Sequence, residues 1–155
     1  MSALRRRDKE ITDIREIEEV IRRAKVCRLA MCNGNIPYCV PVSFGYCDGK
    51  IYVHSAKEGR KLDLLRANNL VCFELDVDVE LLRRGSRPCD WTMRYESVIG
   101  IAEAHFVTDK EEKRRGLDCI VRQYFGEGYE FSDEELERVE VIRLDLREVR
   151  GKRSP

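Results

Sequence analysis

Two short segments constrain the fold of this chain more than any other: Asn33-Gly34-Asn35 and Cys47-Asp48-Gly49-Lys50. Each interrupts apolar, strand-like sequence. Asn-Gly and Asp-Gly accept positive φ at successive residues, as the tight turns that match strand twist require. They join apolar runs at residues 26–32, 36–46 and 51–54. Three strands joined by two such turns make an antiparallel meander. Residues 71–77, 98–107 and 140–149 read as further strands, with Gly100 as a bend or a point of close approach.

Helices fill the gaps. Asp13 with Glu16, Asp109 with Glu112 and Ser132 with Glu135 have capping-box spacing. The first opens an amphipathic helix over 14–24. The second opens a helix whose apolar face carries Leu117, Ile120, Val121 and Tyr124. The third caps a short turn. Ser55 and Glu58 have the same spacing and predict a helix from Ser55 to about Ala67. Residues 78–91 read as irregular. Strands dominate, so a small antiparallel barrel with helical covers is expected.

A length of 155 residues argues for one domain. Residues 1–10 and 150–155 read as flexible basic tails. Over the whole chain 29 basic residues balance 29 acidic ones, which does not suit a nucleic-acid binder. There is no apolar run of the ~18 residues a bilayer span needs, and no secretory signal pattern. A cytoplasmic protein is expected, with no membrane partner. The seven cysteines form no C-x-x-C pair and read as reduced, mostly buried thiols. No metal site is expected.

The chemistry concentrates in His54-Ser55-Ala56-Lys57-Glu58-Gly59-Arg60-Lys61. Lys57, Arg60 and Lys61 sit at the start of the expected helix, where the helix dipole disfavours cations. An anion docked there reverses that penalty, so the segment reads as a phosphate site. His54 stands beside it as either a structural hydrogen-bonder or a catalytic group. Pro41 lacks a ladder donor and places Val40, Pro41, Val42 and Ser43 at a sheet edge or bulge. Free backbone groups there suit the rim of a planar ring. Trp91 and Tyr95, with Arg94 between them, make a wall for a flat ligand or a subunit contact.

In this order, with the runs Cys27-Arg28-Leu29-Ala30, Val71-Cys72-Phe73-Glu74 and Cys89 to Gly100, these pieces cover most of residues 5–146. The set resembles the flavin-binding split-barrel superfamily of pyridoxamine 5′-phosphate oxidase, and within it the branch of nitroimidazole-resistance proteins. The resemblance implies a mostly β protein with α covers, a six-stranded antiparallel split barrel. It implies a homodimer with FMN at the interface. It places the FMN phosphate on Arg60 and Lys61, with Lys57, His54 and Ser55 adjacent. Residues 40–43 would line the ring, and Trp91 and Tyr95 would also contact the cofactor. His54 would serve as proton donor or substrate contact. The chain ends without the oxidase's Trp-containing substrate segment, so pyridoxamine phosphate is not the expected substrate. The function implied is an oxidoreductase acting on a small electron acceptor such as a nitroaromatic or a quinone. Flavin binding or sensing without turnover, and haem binding, are the alternatives.

Overall fold

The computed structural model describes residues 7–154. After a 3-10 turn at Arg7–Lys9, the chain forms β1 (Glu10–Ile11), α1 (Ile14–Arg23), β2 (Cys27–Asn33), β3 (Ile36–Val42), β4 (Phe44–Cys47) and β5 (Lys50–Ser55). Then follow α2 (Arg60–Ala67), β6 (Leu70–Leu82), a 3-10 turn at Pro88–Asp90, β7 (Thr92–Phe106), α3 (Lys110–Phe125), α4 (Asp133–Glu137) and β8 (Glu140–Ser154).

All eight strands belong to one antiparallel sheet, ordered β3-β2-β6-β7-β8-β5-β4, with β1 paired to β8. The two ends of that order, β3 and β4, are separated in sequence only by Ser43. One residue can link opposite edges only if the sheet curls round on itself. The result is a barrel closed by the chain and split between β3 and β4. The expected class is therefore present, with eight strands where six were expected. The expected run 36–46 divides at Ser43, and β1 is an added strand.

The core lies inside the curl. Leu29, Phe44, Ile51, Val53, Phe73, Leu75, Val98, Ile142 and Leu144 are fully buried there. Gly100 is a point of close approach. A Cβ there would stand 2.3 Å from the Glu148 carbonyl and 2.5 Å from the Phe73 ring. The second layer lies outside the barrel, where Tyr52 and Val141 meet Leu117, Cys119, Ile120 and Leu136 of α3 and α4.

Hydrogen bonds fix α3 against the barrel. The Tyr124 hydroxyl donates to the Lys25 carbonyl and accepts from the Phe44 N–H. Gln123 accepts from the Tyr46 N–H and donates to the carbonyls that end α1. The caps at Asp13 and Asp109 accept backbone N–H bonds as their positions predict, and Ser132 with Glu135 forms a complete capping box.

Three expectations need correction. The helix expected from Ser55 starts at Arg60, because Ser55 stays in the ladder opposite Glu140. Gly59, at φ 139°, makes the turn into the helix, and the Ser55–Glu58 box does not form. The segment expected as a flexible basic tail at 150–155 is strand through Ser154, paired with β1 and β7. Ser154 is buried and accepts from the Lys9 ammonium. The sequence Arg150-Gly151-Lys152-Arg153 hides this strand because Ile11 fills the space over Gly151. At the other end, residues 1–6 of the expected basic tail lie outside the described residues, and residues 7–10 are ordered. The segment expected as irregular, 78–91, extends β6 to Leu82, with a register shift around Asp78 at φ 53°.

The expectation of seven reduced thiols also fails. Cys47 and Cys119 form a disulfide tying β4 to α3, and Cys39 and Cys89 are exposed. The cysteines therefore no longer argue for one redox compartment. No described helix is long and apolar enough to cross a membrane.

Thiol titration of the unfolded, unreduced chain should count five free cysteines. Reduction should lower stability by about 2–4 kcal/mol, since the bridge closes a 72-residue separation. Seven reactive thiols, or a melting curve unchanged by reductant, would contradict the bridge.

Candidate functional site

The site begins with the pleat of β5. Ile51 and Val53 point into the barrel, so Tyr52 and His54 point outward. Tyr52 is covered by α3, but His54 lies beyond the covered area and is exposed. Ser55 ends the strand. The loop 56–59 then crosses to α2, whose Leu62 and Leu65 are buried in the core. Burying those two leucines turns the first residues of α2 toward solvent near His54.

The N-terminus of α2 is unlike the other three. Gly59 supplies no side-chain cap, whereas Asp13, Asp109 and Ser132 cap theirs. The Gly59 carbonyl accepts from Leu62 and Asp63, 2.9 and 3.2 Å away. Leading N–H groups at such an end are open to an anion. Two cations stand directly on this end. Lys61 is half-buried, and burial lowers its pKa. The Arg60 guanidinium lies 4.6 Å from the centre of the Tyr38 ring. Lys57 is exposed in the loop. None of these three cations has a carboxylate partner among the described residues. That contrasts with Arg28, Arg143 and Arg153, each of which binds two acids, and with Arg23, which binds three. A half-buried ammonium without a counter-ion is costly, and a bound anion would remove the cost.

His54 feels the same field. Desolvation lowers its pKa first, and the Lys61 charge lowers it further. The imidazole is therefore neutral near pH 7, with one nitrogen to donate and one to accept.

The edge expected from Pro41 is real. β3 pairs only with β2 and is one lip of the split. The pleat divides the expected rim, however. Val40 packs on the core and Val42 is buried, so each could offer a ligand only backbone. Pro41 and Ser43 face outward. Tyr38, which was not singled out from the sequence, joins this edge to the cationic helix end through Arg60. Its spacing of two from Val40 was the available signal.

Trp91 and Tyr95 lie elsewhere. His54 pairs with Val141 and Tyr95 with Ser154, so thirteen residues of β8 separate them, roughly 40 Å of strand at ~3.3 Å a residue. Arg83 stacks on the Trp91 ring at 4.9 Å, and the Lys152 ammonium lies 5.6 Å from the Tyr95 ring centre. The Trp91 Nε1–H is buried with no hydrogen-bond partner among the described residues. A single chain does not bring this wall to His54.

The second group missed by sequence reasoning is an apolar cleft beside His54, of about 300 Å³. Its walls include Leu117, Ile120 and Val121, whose spacing marked an apolar helix face but not an open one.

Comparison with known proteins bears on this geometry. Residues 13–153 match the family model described as pyridoxamine 5′-phosphate oxidase. A candidate 5-nitroimidazole antibiotic resistance protein from Bacteroides thetaiotaomicron is 33% identical, with a TM-score of 0.81 over 92% of this chain and 85% of that one. A flavocytochrome from Azotobacter vinelandii shares the fold at 16% identity and a TM-score of 0.82, over 99% of this chain and 72% of that one. An FAD- and haem-binding protein from Mycobacterium smegmatis does so at 17% and 0.81, over 94% and 73%. No curated protein sequence matches.

In an NMR titration His54 should show a midpoint below the ordinary histidine value of ~6.5. The unfolded chain then takes up this proton first, so stability falls as pH drops through that range. Lys61→Met should raise the midpoint part of the way, because burial is the larger cause. A midpoint at or above 6.5 would contradict the described surroundings.

Proposed function

The chain belongs to the pyridoxamine 5′-phosphate oxidase family, and from that premise we propose that it is a flavoprotein holding FMN by its phosphate at the start of α2. The observation that carries this reading is the uncapped helix end bearing Arg60 and Lys61, neither of which has an acidic partner among the described residues. Lys57, Ser55 and His54 complete the anionic end of the site. The residues fit the group. A half-buried ammonium and open helix N–H groups want an anion, and the lip at Pro41 and Ser43 leaves backbone unpaired for the rim of a flat ring.

Bound flavin would supply hydride or electron transfer, which no side chain here can supply alone. The chain's own residues hold, orient and exclude. Arg60, fixed over Tyr38, offers a forked donor to phosphate oxygens. Neutral His54 offers a hydrogen bond, or a proton, to a reacting molecule. A small electron acceptor, nitroaromatic or quinone-like, is the substrate class proposed, in a cytoplasmic setting.

Trp91 and Tyr95 join this reading only through a second copy. Thirteen residues of β8 separate them from His54, which favours their reaching the ligand from a second copy. A homodimer would bring one protomer's Trp91 to its partner's α2, and would give the unpaired Trp91 Nε1–H an acceptor.

Arg60→Ala should weaken FMN binding about 10- to 100-fold, through loss of a charge-assisted contact worth ~1.5–3 kcal/mol. Equilibrium titration of flavin fluorescence would measure it. An unchanged dissociation constant would sink the phosphate assignment. Light scattering should find dimers, and a monomer with full FMN affinity would contradict the shared site.

A further inference from the structure

We propose that the Cys47–Cys119 bridge is a thiol-responsive clasp that sets how firmly α3 covers the free edge of β4, and with it the lip of the split at Ser43. The step from that lip to a bound cofactor rests on the flavin reading. The clasp itself does not.

β4 ends the sheet order and pairs only with β5. An edge strand leaves every second N–H without a ladder partner. Here α3 supplies the acceptors. The Phe44 N–H donates to the Tyr124 hydroxyl at 3.1 Å, and the Tyr46 N–H donates to the Gln123 side-chain oxygen at 3.3 Å. Cys119 and Gln123 stand four residues apart and share one face of α3. The bridge joins Cys119 to Cys47, the last residue of β4, so it fastens the same helix face to the same strand. Phe44 directly follows Ser43, the single residue between β3 and β4. What holds β4 therefore holds the lip.

Both oxidation states suit this packing. At Gly45 the two backbones meet, since a Cβ there would stand 2.5 Å from the Cys119 carbonyl carbon. That contact and the two hydrogen bonds remain when the bridge opens, so α3 loosens without leaving. Cys119 lies in an apolar cluster with Tyr52, Val107 and Leu136, where a protonated thiol packs as a small hydrophobe. Cys27 occupies the main core in that form, and burial pushes its thiol up to about 12.

Access is one-sided. Cys119 is buried, while Cys47 opens the turn at Asp48-Gly49 and is partly exposed. A small thiolate attacks the Cys47 sulfur, and the Cys119 sulfur leaves and takes up a proton. A second small thiol then releases Cys47 from the mixed disulfide. One protein disulfide and two small thiols give two cysteine thiols and one small disulfide, so the small thiols supply both electrons. Cys39 and Cys89 stay exposed and unpaired, as in a reducing setting, where a protein disulfide is usually transient and redox-sensing.

The test is amide hydrogen exchange on the full chain, oxidised and then treated with excess glutathione. Reduction should speed exchange at Phe44 and Tyr46 about tenfold or more, leave Phe73 and Ile142 of the core strands protected, and reverse with glutathione disulfide. Cys47→Ser should match the reduced wild type and ignore both reagents. FMN affinity should fall about fivefold or more on reduction. A bridge that resists excess glutathione in the folded chain, or a loss of core protection on reduction, would make it a structural bond and overturn the proposal. So would unchanged exchange at Phe44 and Tyr46, or equal FMN affinity in the two forms. If neither form binds FMN, the flavin reading fails and the exchange readout alone decides the clasp.

Discussion

The alternation of side chains along β5 is the constraint on which the rest of the molecule depends. Period two sends Ile51 and Val53 into the barrel and Tyr52 and His54 out of it. A slip of one residue would bury His54 and expose Val53. The register is held because β5 is gripped on both sides, by β4 through the turn at Asp48-Gly49 and by β8 over Lys50–Ser55. The same alternation gives α3 an outer apolar surface to cover. It also leaves His54 just past that cover, beside both the cationic helix end and the cleft.

Charge placement follows from burial. α2 must bury Leu62 and Leu65, and that choice fixes where Arg60 and Lys61 go. Folding alone gains nothing from two cations at a helix start. Many other arginines are matched by acids across strands and helices, as at Arg23, Arg28 and Arg153. The pair at the start of α2 is placed unfavourably for the isolated chain, and the phosphate of the proposed cofactor would relieve it. The length of β7 and β8 works on a larger scale. It places the aromatic wall of Trp91 and Tyr95 one strand length from the cationic end of α2, a gap that the proposed homodimer would bridge.

Much of this was legible in the sequence because local chemistry and fold agree. Asp48-Gly49 makes the turn it promises, with positive φ at both residues, while the first hairpin turns at Gly34-Asn35, one residue on from Asn33-Gly34, with positive φ at Gly34 alone. Asp109 and Ser132 cap their helices. Pro41 lies on an edge strand. Gly100 is a close approach. What was hidden depended on partners distant in sequence. Ser55 looked like a helix cap until the ladder to Glu140 claimed it for a strand. The end of β8 looked like a tail because its apolar partner, Ile11, is supplied by β1. Cys47 and Cys119 pair across 72 positions, which no spacing rule foresees. The cleft at His54 escaped notice because an apolar helix face reads the same whether it is covered or open.

The central claim is that the cationic end of α2 holds the phosphate of a flavin mononucleotide. The most direct measurement is the visible absorption spectrum of the protein incubated with FMN and then freed of unbound ligand. The account predicts the two bands of an oxidised flavin, with FMN and no FAD recovered when the bound molecule is extracted. A colourless protein, or one showing the Soret band of haem in place of flavin bands, would contradict it.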